Sequence, residues 1–171
     1  MSLKNRAVFL DRDGVINEDD GYIFKIEDFR FKEGIFKLLS YLQKLGYKLF
    51  VVTNQSGIAR GYYNEDDFLK LTDWMIKEFK KHSINIEKVY YCPHMPDSVC
   101  SCRKPKPGMI EEAIKEFDLD TRNSWLIGDK PSDIEAAKNA SIENHIYLND
   151  DNFGGAKYSV KDILDIINII K

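Results

Sequence analysis

The chain has 171 residues, and its balance of 43% hydrophobic and 31% charged residues is typical of a globular protein with a sizeable core. It carries 25 basic and 28 acidic side chains, so the net charge of −3 does not favour binding to nucleic acid or to an anionic membrane. An anionic substrate would therefore have to be held by a local cluster of basic side chains.

Two further features bear on where the protein acts. The opening residues show no signal-peptide pattern, and no apolar run approaches the ~20 residues that span a bilayer. Three cysteines, an odd number, favour a reducing compartment over a disulfide framework. We therefore expect a cytoplasmic protein that acts as a monomer, with residues 1–171 in a single domain.

Segments typical of strands alternate with segments typical of helices along the chain. Apolar, β-branched and aromatic runs predict strands at 6–10, 47–53, 86–92, 124–129 and 144–148. Apolar residues at helical spacing predict helices at 33–46, 64–82, 107–117, 132–140 and, in the tail, 160–170. Gly46 is expected to end the first helix, Asn64 to cap the second and Pro107 to open the third.

This alternation defines the expected fold class. Strands separated by helices pair in parallel, which gives a three-layer α/β/α sandwich with a mostly parallel, Rossmann-like sheet. The run at 49–53 is apolar nearly throughout, as expected when helices cover both faces of the sheet. In such sheets, ligands bind beyond the carboxyl ends of the strands.

Two carboxylates, Asp11 and Asp13, directly follow the first predicted strand, with Arg12 between them and Gly14 behind. Unpaired carboxylates at the end of a buried strand are unfavourable, so these two need compensating partners. The carboxyl ends of parallel strands meet at one edge of a sheet. The polar residues that follow the other strands are Thr53, Asn54, Gln55, Arg103, Lys104, Asp129 and Lys130.

Acids and bases at one edge suit a divalent cation together with a phosphate. Magnesium takes oxygen ligands, usually one or two carboxylates beside waters and phosphate oxygens, and Asp11 and Asp129 are the candidates. A carboxylate can also accept a phosphoryl group, so Asp11 would be a nucleophile. Asp13 would protonate the leaving group and then take a proton from water. The phosphate oxygens would be bound by Thr53, Asn54 and Lys104, and Gln55 is a further candidate for contact with the substrate.

Four segments carry a family resemblance, and together they span most of the chain. FLDRDGVIN (9–17), VVTNQSGIARG (51–61), RKPKPGM (103–109) and LIGDKPSD (126–133) resemble, in this order, the motifs of haloacid dehalogenase-like phosphatases. A single Asp-x-Asp would be weak evidence, because acidic pairs occur in many solvated loops. Four motifs in the right order at strand ends are strong evidence.

The resemblance implies a role for each matching residue. Asp11 corresponds to the nucleophile and Asp13 to the general acid and base, whose main-chain carbonyl also binds magnesium. Thr53 corresponds to a phosphate-binding residue, Lys104 to the charge-balancing lysine and Asp129 to a magnesium ligand.

Two further positions near the motifs need separate interpretation, and of these only Val15 departs from the family pattern. Asp133 occupies an acidic position of the fourth motif, and it is equally well explained as an acid in the first turn of a helix. Val15 stands where the family commonly has threonine, a largely structural position.

A cysteine loop precedes the third motif. Cys92, His94, Cys100 and Cys102 offer four soft ligands within eleven residues, which suits tetrahedral zinc. The set is closed, so this zinc would be structural and would stabilise the loop at 92–102. The alternative is a group of free thiols or one disulfide. His82 and His145 have no such neighbours and are interpreted as ordinary surface or core residues.

Two groups of the family resemble the chain further, the D,D-heptose 1,7-bisphosphate phosphatases and the histidinol-phosphate phosphatases. Both share the cysteine loop, the DRDG opening and the lack of a large cap, which leaves the 18–31 loop and the cysteine loop to shape the entrance. TNQSGIARGYY (53–63) favours the heptose group. This resemblance implies a small-molecule sugar bisphosphate substrate, hydrolysed at C7. The bases available for its second phosphate are Arg60, Arg103, Lys106 and Lys130, of which Lys106 is best explained as a solvated surface charge.

Three alternatives remain. A histidinol-phosphate phosphatase would use the same chemistry on a different ester. A non-catalytic module that binds a sugar phosphate or a nucleic-acid end is disfavoured by the intact pair Asp11 and Asp13. Polynucleotide 3′-phosphatase modules are similar around 53–58, but usually have further domains and more basic surfaces.

Overall fold

A single sheet organises the structure, a computed structural model that describes residues 4–151 and 153–171. Its strands are β1 (Ala7–Leu10), β2 (Lys48–Asn54), β3 (Ile86–Cys92), β4 (Trp125–Gly128), β5 (Asn144–Leu148) and β6 (Tyr158–Val160). They pair in parallel in the spatial order β3-β2-β1-β4-β5-β6. The predicted parallel sheet is confirmed, and β1 lies at its centre.

Helices cover both faces of this sheet. They are α1 (Ile35–Lys44), α2 (Glu65–Lys81), α3 (Gly108–Phe117), α4 (Pro131–Asn139) and the single turn α5 (Ile166–Ile169). Side chains of α1, α2 and α5 share one buried cluster with Val8 and Leu10 of β1, whereas those of α3 and α4 share the other with Ala7 and Phe9. This alternation along a strand buried on both faces confirms the three-layer sandwich.

Local signals set the helix ends. Asn64 caps α2, since its Oδ1 accepts from the Asp67 amide at 2.8 Å and the Asp67 carboxylate accepts from the Asn64 amide at 3.1 Å. Gly46 follows α1 with φ of +88°, a conformation that glycine adopts without strain. Pro107 differs from the prediction, because it forms the N-cap and α3 begins one residue later.

The tail differs more. Instead of a helix over 160–170, Val160 ends β6, a 3-10 turn follows at Ile163–Asp165, and α5 is one turn long. The apolar spacing reflects burial of Ile163, Ile166 and Ile170 rather than a long helix. The short edge strand β6 was missed because three mostly exposed residues carry no alternating pattern.

Two segments border the carboxyl edge of the sheet where the motifs end. One connects β1 to α1 and contains a 3-10 turn at Ile26–Asp28, and the other connects β3 to α3. Both are loops, and the described residues form no large cap domain, as predicted. Nor does any helix in the described parts of the chain have the length and apolar character needed to cross a membrane.

Candidate active site

A buried lysine lies among carboxylates at the ends of β1 and β4. Lys104 Nζ donates to Asp11 Oδ1 at 2.9 Å and to the Val52 carbonyl at 2.8 Å, and it lies 2.6 Å from Asp133 Oδ1. All three charged side chains are at most 7% exposed. The sheet thus brings Asp11 and Lys104 together, and it adds Asp133, for which the sequence left two interpretations.

Charge and burial shift the pKa values in this cluster. Burial raises the pKa of Asp11 well above its ordinary value, and the charge of Asp133 raises it further, while Lys104 opposes this change. Burial would lower the pKa of Lys104, but the carboxylates of Asp11 and Asp133 outweigh it and raise that pKa. Additional positive charge next to Asp11 would stabilise its ionised form.

Asp129 offers a carboxylate suited to a metal ion. Its oxygens, with those of Asp11 and Asp133, form a group whose ligand atoms lie within 4.8 Å of one another. Asp129 Oδ1 is buried and has no hydrogen-bond partner among the described residues. A methyl group on Gly14, where φ is +93°, would lie 2.0 Å from Asp129 Oδ2, so glycine is required there. An orphaned carboxylate oxygen beside a second carboxylate fits a hard divalent cation such as magnesium.

Asp133 has its oxygens engaged by other partners. Oδ2 accepts from the backbone amides of Asp129 at 3.1 Å and Lys130 at 3.0 Å, and Oδ1 faces Lys104. The residue also lies in the first turn of α4, so both sequence interpretations apply to it. Its carboxylate fixes the turn that carries Asp129 and anchors the lysine.

The Asp13 side chain is held by hydrogen-bonding partners outside this cluster. Its carboxylate accepts from Arg12, from Asn17 Nδ2 at 3.0 Å and from Gln55 Nε2 at 3.1 Å. The metal-ligand group of carboxylates contains Asp11, Asp129 and Asp133 and does not include this side chain. Any contact of Asp13 with magnesium therefore remains a prediction for its main-chain carbonyl.

The residues at the carboxyl end of β2 support the site through hydrogen bonds to its other residues. Thr53 is 1% exposed, and its hydroxyl accepts from Gln55 Nε2 at 2.8 Å. The Asn54 side chain makes two hydrogen bonds to the backbone of Lys104: Oδ1 accepts from its amide at 3.0 Å, and Nδ2 donates to its carbonyl at 3.1 Å. Gln55 donates to Asp13 and Thr53 through Nε2 and accepts from the Tyr63 hydroxyl at 2.5 Å. The residue also lines a cleft, so its contact with the substrate stays a prediction.

A cleft of about 570 Å³ opens over these residues. Its wall includes Asp13 and Asn54, Asp19 and Tyr22 from the 18–31 loop, and the basic residues Arg103, Lys104 and Lys130. Burial would lower the pKa of Lys130, but Asp129, Asp11 and Asp19 raise it, and its Nζ lies 3.2 Å from Asp19 Oδ2. The cleft therefore has a basic wall formed by Arg103, Lys104 and Lys130, and Lys104 links it to the buried carboxylates of Asp11 and Asp133. This arrangement can hold a phosphate ester beside a cation.

Two of the predicted bases lie elsewhere. Arg60 is exposed, its Nε donates to Ser56 Oγ at 3.3 Å, and its guanidinium carbon lies 5.9 Å from the centre of the Tyr22 ring. Lys106 donates to the carbonyls of Ser98 at 3.2 Å and Cys100 at 2.5 Å, so it supports the cysteine loop. Neither is among the described residues that line the cleft.

The cysteine loop gathers its four candidate ligands. Cys92, His94, Cys100 and Cys102 each place one ligand atom within 4.8 Å of the others. His94 Nδ1 lies 3.3 Å from Cys92 Sγ and 3.2 Å from Cys102 Sγ. Burial raises the pKa of the Cys92 thiol to about 12, which is unfavourable for a thiolate until a cation compensates. Three sulfurs and one imidazole are a ligand set that suits a closed tetrahedral zinc site.

The histidines outside this loop match their interpretation. His82 packs against Phe36, with ring centres 4.5 Å apart. His145 is 7% exposed, and its Nδ1 accepts from the Lys157 amide at 2.8 Å.

Sequence reasoning missed three residues of this site. Arg12, Asn17 and Tyr63 hold Asp13 or Gln55 in place. Arg12 was visible between the two aspartates, but an arginine in a loop is usually solvated, and the sequence carries no signal for its burial. Asn17 and Tyr63 have no local signal for these contacts.

A parallel sheet with this arrangement of carboxylates and lysine at its carboxyl edge defines a class of phosphate-handling hydrolases, and comparison with known proteins agrees. The model of haloacid dehalogenase-like hydrolases matches residues 3–141. The chain belongs to this family.

Individual relatives cover nearly the whole chain. The D-glycero-alpha-D-manno-heptose-1,7-bisphosphate 7-phosphatase of Campylobacter jejuni is 52% identical over 99% of this chain and 98% of its own. The D-glycero-beta-D-manno-heptose-1,7-bisphosphate 7-phosphatase of Helicobacter pylori is 45% identical over 98% of both chains. The D,D-heptose 1,7-bisphosphate phosphatase of B. bronchiseptica, crystallised with magnesium and phosphate, has a TM-score of 0.86 at 25% identity and covers 96% of this chain and 97% of its own.

Proposed function

We propose that the protein is a magnesium-dependent phosphatase that removes the C7 phosphate of D-glycero-D-manno-heptose 1,7-bisphosphate and leaves the heptose 1-phosphate. The observation that carries this proposal is the buried contact of Asp11 with Lys104 beside the orphaned carboxylate oxygen of Asp129, next to a cleft that Lys104 lines together with Arg103 and Lys130. The names of the relatives supply the substrate.

Asp11 acts as the nucleophile. Its Oδ1 accepts from Lys104 Nζ at 2.9 Å and from the Arg12 amide at 2.9 Å, which fixes the carboxylate and assigns the attack to Oδ2. The new bond joins Oδ2 to phosphorus, while the bond from phosphorus to the C7 oxygen breaks. Lys104 offsets the negative charge that accumulates, and its three hydrogen-bonding partners prevent it from moving away.

Asp13 acts as the general acid and then as the general base. In the first half-reaction it gives a proton to the departing C7 oxygen, and in the second it takes a proton from the water that attacks the aspartyl phosphate. Phosphate then leaves and Asp11 is regenerated. Asp11, Asp129 and the main-chain carbonyl of Asp13 would hold Mg²⁺, which supplies positive charge against the phosphate oxygens and the crowded carboxylates.

The second phosphate is assigned to the basic wall of the cleft. Arg103 and Lys130 line it, and Arg60 stands further out beside Tyr22. Charge-assisted contacts to the C1 phosphate, which does not react, would orient the C7 ester toward Asp11. Thr53 and Asn54 would shape the phosphate site chiefly by holding Gln55 and Lys104.

We also propose a structural zinc ion in the loop at 92–102, held by Cys92, His94, Cys100 and Cys102. All four positions of a tetrahedral ion would be filled by the protein, so the metal would hold the loop that carries Arg103 and Lys104 rather than activate water. A reducing, cytoplasmic location keeps these thiols available as ligands. We further propose that the chain acts as a monomer of one domain.

A substrate panel tests the proposal. With Mg²⁺ present, kcat/KM is measured for both anomers of the heptose bisphosphate, for histidinol phosphate, for mononucleotides and for p-nitrophenyl phosphate. We expect the highest value for a heptose bisphosphate, and ³¹P NMR should show that the product keeps its C1 phosphate. A higher kcat/KM for histidinol phosphate would contradict the heptose assignment and leave the phosphatase chemistry intact.

A further inference from the structure

Arg12 is one of the most buried side chains of the protein, although it stands beside a cleft. It is 1% exposed. Its guanidinium donates three hydrogen bonds to the Asp13 carboxylate: Nε to Oδ1 at 3.2 Å, Nη2 to Oδ1 at 2.8 Å and Nη2 to Oδ2 at 3.1 Å. A planar guanidinium in this two-sided contact fixes the plane of a carboxylate as well as its position.

The same guanidinium reaches the loop that forms the other side of the cleft. Nη2 also donates to the carbonyl of Ile23 at 2.7 Å. The two residues before Ile23, Gly21 and Tyr22, line the cleft. One nitrogen atom therefore joins the substrate-side loop to the carboxylate of Asp13.

The surroundings of Arg12 are otherwise apolar. The rings of Phe29 and Phe68 lie 5.9 Å and 5.8 Å from its guanidinium carbon. Nη1 is buried without a hydrogen-bond partner in the described ranges 4–151 and 153–171. Burial of a cation with one unpaired nitrogen is unfavourable for folding, so stability alone does not explain an arginine at this position.

Neutral groups complete the support of Asp13. Asn17 and Gln55 donate one hydrogen bond each to its carboxylate. Gln55 is held by the Tyr63 hydroxyl, and the Tyr63 ring stacks on Phe24 of the 18–31 loop, with centres 5.1 Å apart. The loop thus reaches Asp13 by two routes, and Arg12 provides the charged one.

We infer that Arg12 is a positioning residue: it sets the orientation of Asp13 for proton transfer and couples that orientation to the 18–31 loop. The inference rests on the acid and base role of Asp13 in the proposed function. Arg12 does not touch the reacting atoms in this role. An Arg12 substitution should therefore slow the hydrolysis of a substrate more when that hydrolysis depends more on proton transfer by Asp13.

The test measures the rate of the first turnover on two esters with the Mg²⁺-loaded full chain. The heptose bisphosphate releases an alkoxide that needs a proton, whereas p-nitrophenyl phosphate releases a stable phenolate that scarcely needs one. In Arg12→Lys, we expect the rate on the alkyl ester to fall about 10- to 100-fold and the rate on the aryl ester to change much less. Arg12→Lys added to Asp13→Asn should cause no further loss on the alkyl ester, because the two residues act as one unit.

Controls separate this role from a structural one. Arg6→Lys is a matched control, since Arg6 donates to the Leu45 carbonyl at 2.6 Å and lies over the Tyr47 ring, outside the described cleft wall. It should leave the ratio of the two rates unchanged. If Arg12→Lys proves unstable, Arg12→Met removes the buried charge and should show the same change in ratio.

Two results would overturn the inference. One is an equal loss of first-turnover rate on both esters in the Arg12 variants. The other is a loss in the double variant as large as the product of the losses in Arg12→Lys and Asp13→Asn. The proposed function fails separately. Asp13→Asn without any leaving-group dependence would contradict the role of Asp13 itself. If the wild type prefers another alkyl phosphate, the substrate assignment is wrong, and the Arg12 ratio is measured on that ester.

Discussion

Lys104 Nζ lies 2.6 Å from Asp133 Oδ1, and this ion pair is almost completely buried, with side-chain exposures of 3% and 2%. Asp133 also accepts from the backbone amides of Asp129 and Lys130. The pair therefore connects the loop after β3 to the turn after β4. Asp133 thus supports both Lys104 and the turn that carries the candidate metal ligand Asp129.

Removal of this lysine should cost both stability and activity. Lys104→Met leaves the carboxylates of Asp11 and Asp133 buried without their cation, and we expect a loss of about 3–5 kcal/mol in the free energy of unfolding. Urea unfolding without added magnesium measures it. Lys88→Met is the control, because its pair with Glu116 at 2.8 Å is exposed and should contribute much less to stability. Equal losses in the two variants would argue against a special role for the buried pair.

Asp11→Asn should abolish turnover and preserve the fold. The amide keeps the shape of the side chain but is a poor nucleophile, so kcat should fall by more than about 10⁴-fold. Phosphate release from the heptose bisphosphate measures the activity, and circular dichroism checks the fold. Substantial hydrolysis by a well-purified variant would exclude the aspartyl-phosphate mechanism.

The proposed zinc and magnesium ions should differ in how tightly the protein holds them. Elemental analysis of protein purified without chelator should find about one zinc per chain, and Cys100→Ser should lower both the zinc content and the melting temperature. Ser101→Ala, a neighbouring exposed change, is the control and should alter neither. Magnesium should exchange readily and be required for turnover. Absence of zinc from the wild-type protein would contradict the structural zinc site.

The basic wall of the cleft should matter more for a bisphosphate than for a small aryl phosphate. Lys130→Ala removes a cation that lines the cleft, and kcat/KM for the heptose bisphosphate should fall about 10- to 100-fold, with a smaller change for p-nitrophenyl phosphate. Arg60→Ala should have a weaker effect in the same direction, because Arg60 stands outside the cleft lining. Lys70→Ala, on the exposed side of α2, should change neither value. Equal effects of Lys130→Ala on both esters would contradict the second phosphate site.

His145 should make the protein less stable in acid. Burial lowers the pKa of His145 below its ordinary value of 6.5, and nearby Lys138 lowers it further. The unfolded state therefore binds the proton more tightly, so this contribution to stability is fully present above pH 6.5 and is lost as the pH falls through the folded-state pKa. The free energy of unfolding should decline less between pH 7 and pH 5 in His145→Gln than in the wild type. Parallel declines would show that His145 does not contribute.

The sequence by itself determined the class of fold and the edge at which the chemistry lies. Alternating strand and helix patterns require a parallel sheet, and polar residues placed directly after apolar strands must gather where those strands end. Asp11 and Asp129 could be placed at this edge in advance, because their positions depend only on local pattern and strand direction. The cysteine loop was recognisable for a similar reason, since its ligands are close together in the chain.

Only the tertiary structure decided which side chains meet. Gln55 donates to Asp13, Lys106 supports the cysteine loop, and Arg12 is buried between a carboxylate and a loop carbonyl. These contacts join segments whose relative placement depends on strand order and on the path of long loops, and neither leaves a periodic signal in the sequence. The tail shows the same limit, because apolar spacing records which residues are buried but does not distinguish a long helix from short turns packed on α1. The physical reason is that periodicity encodes burial and local conformation, whereas the partner of a polar side chain is selected by distant parts of the chain.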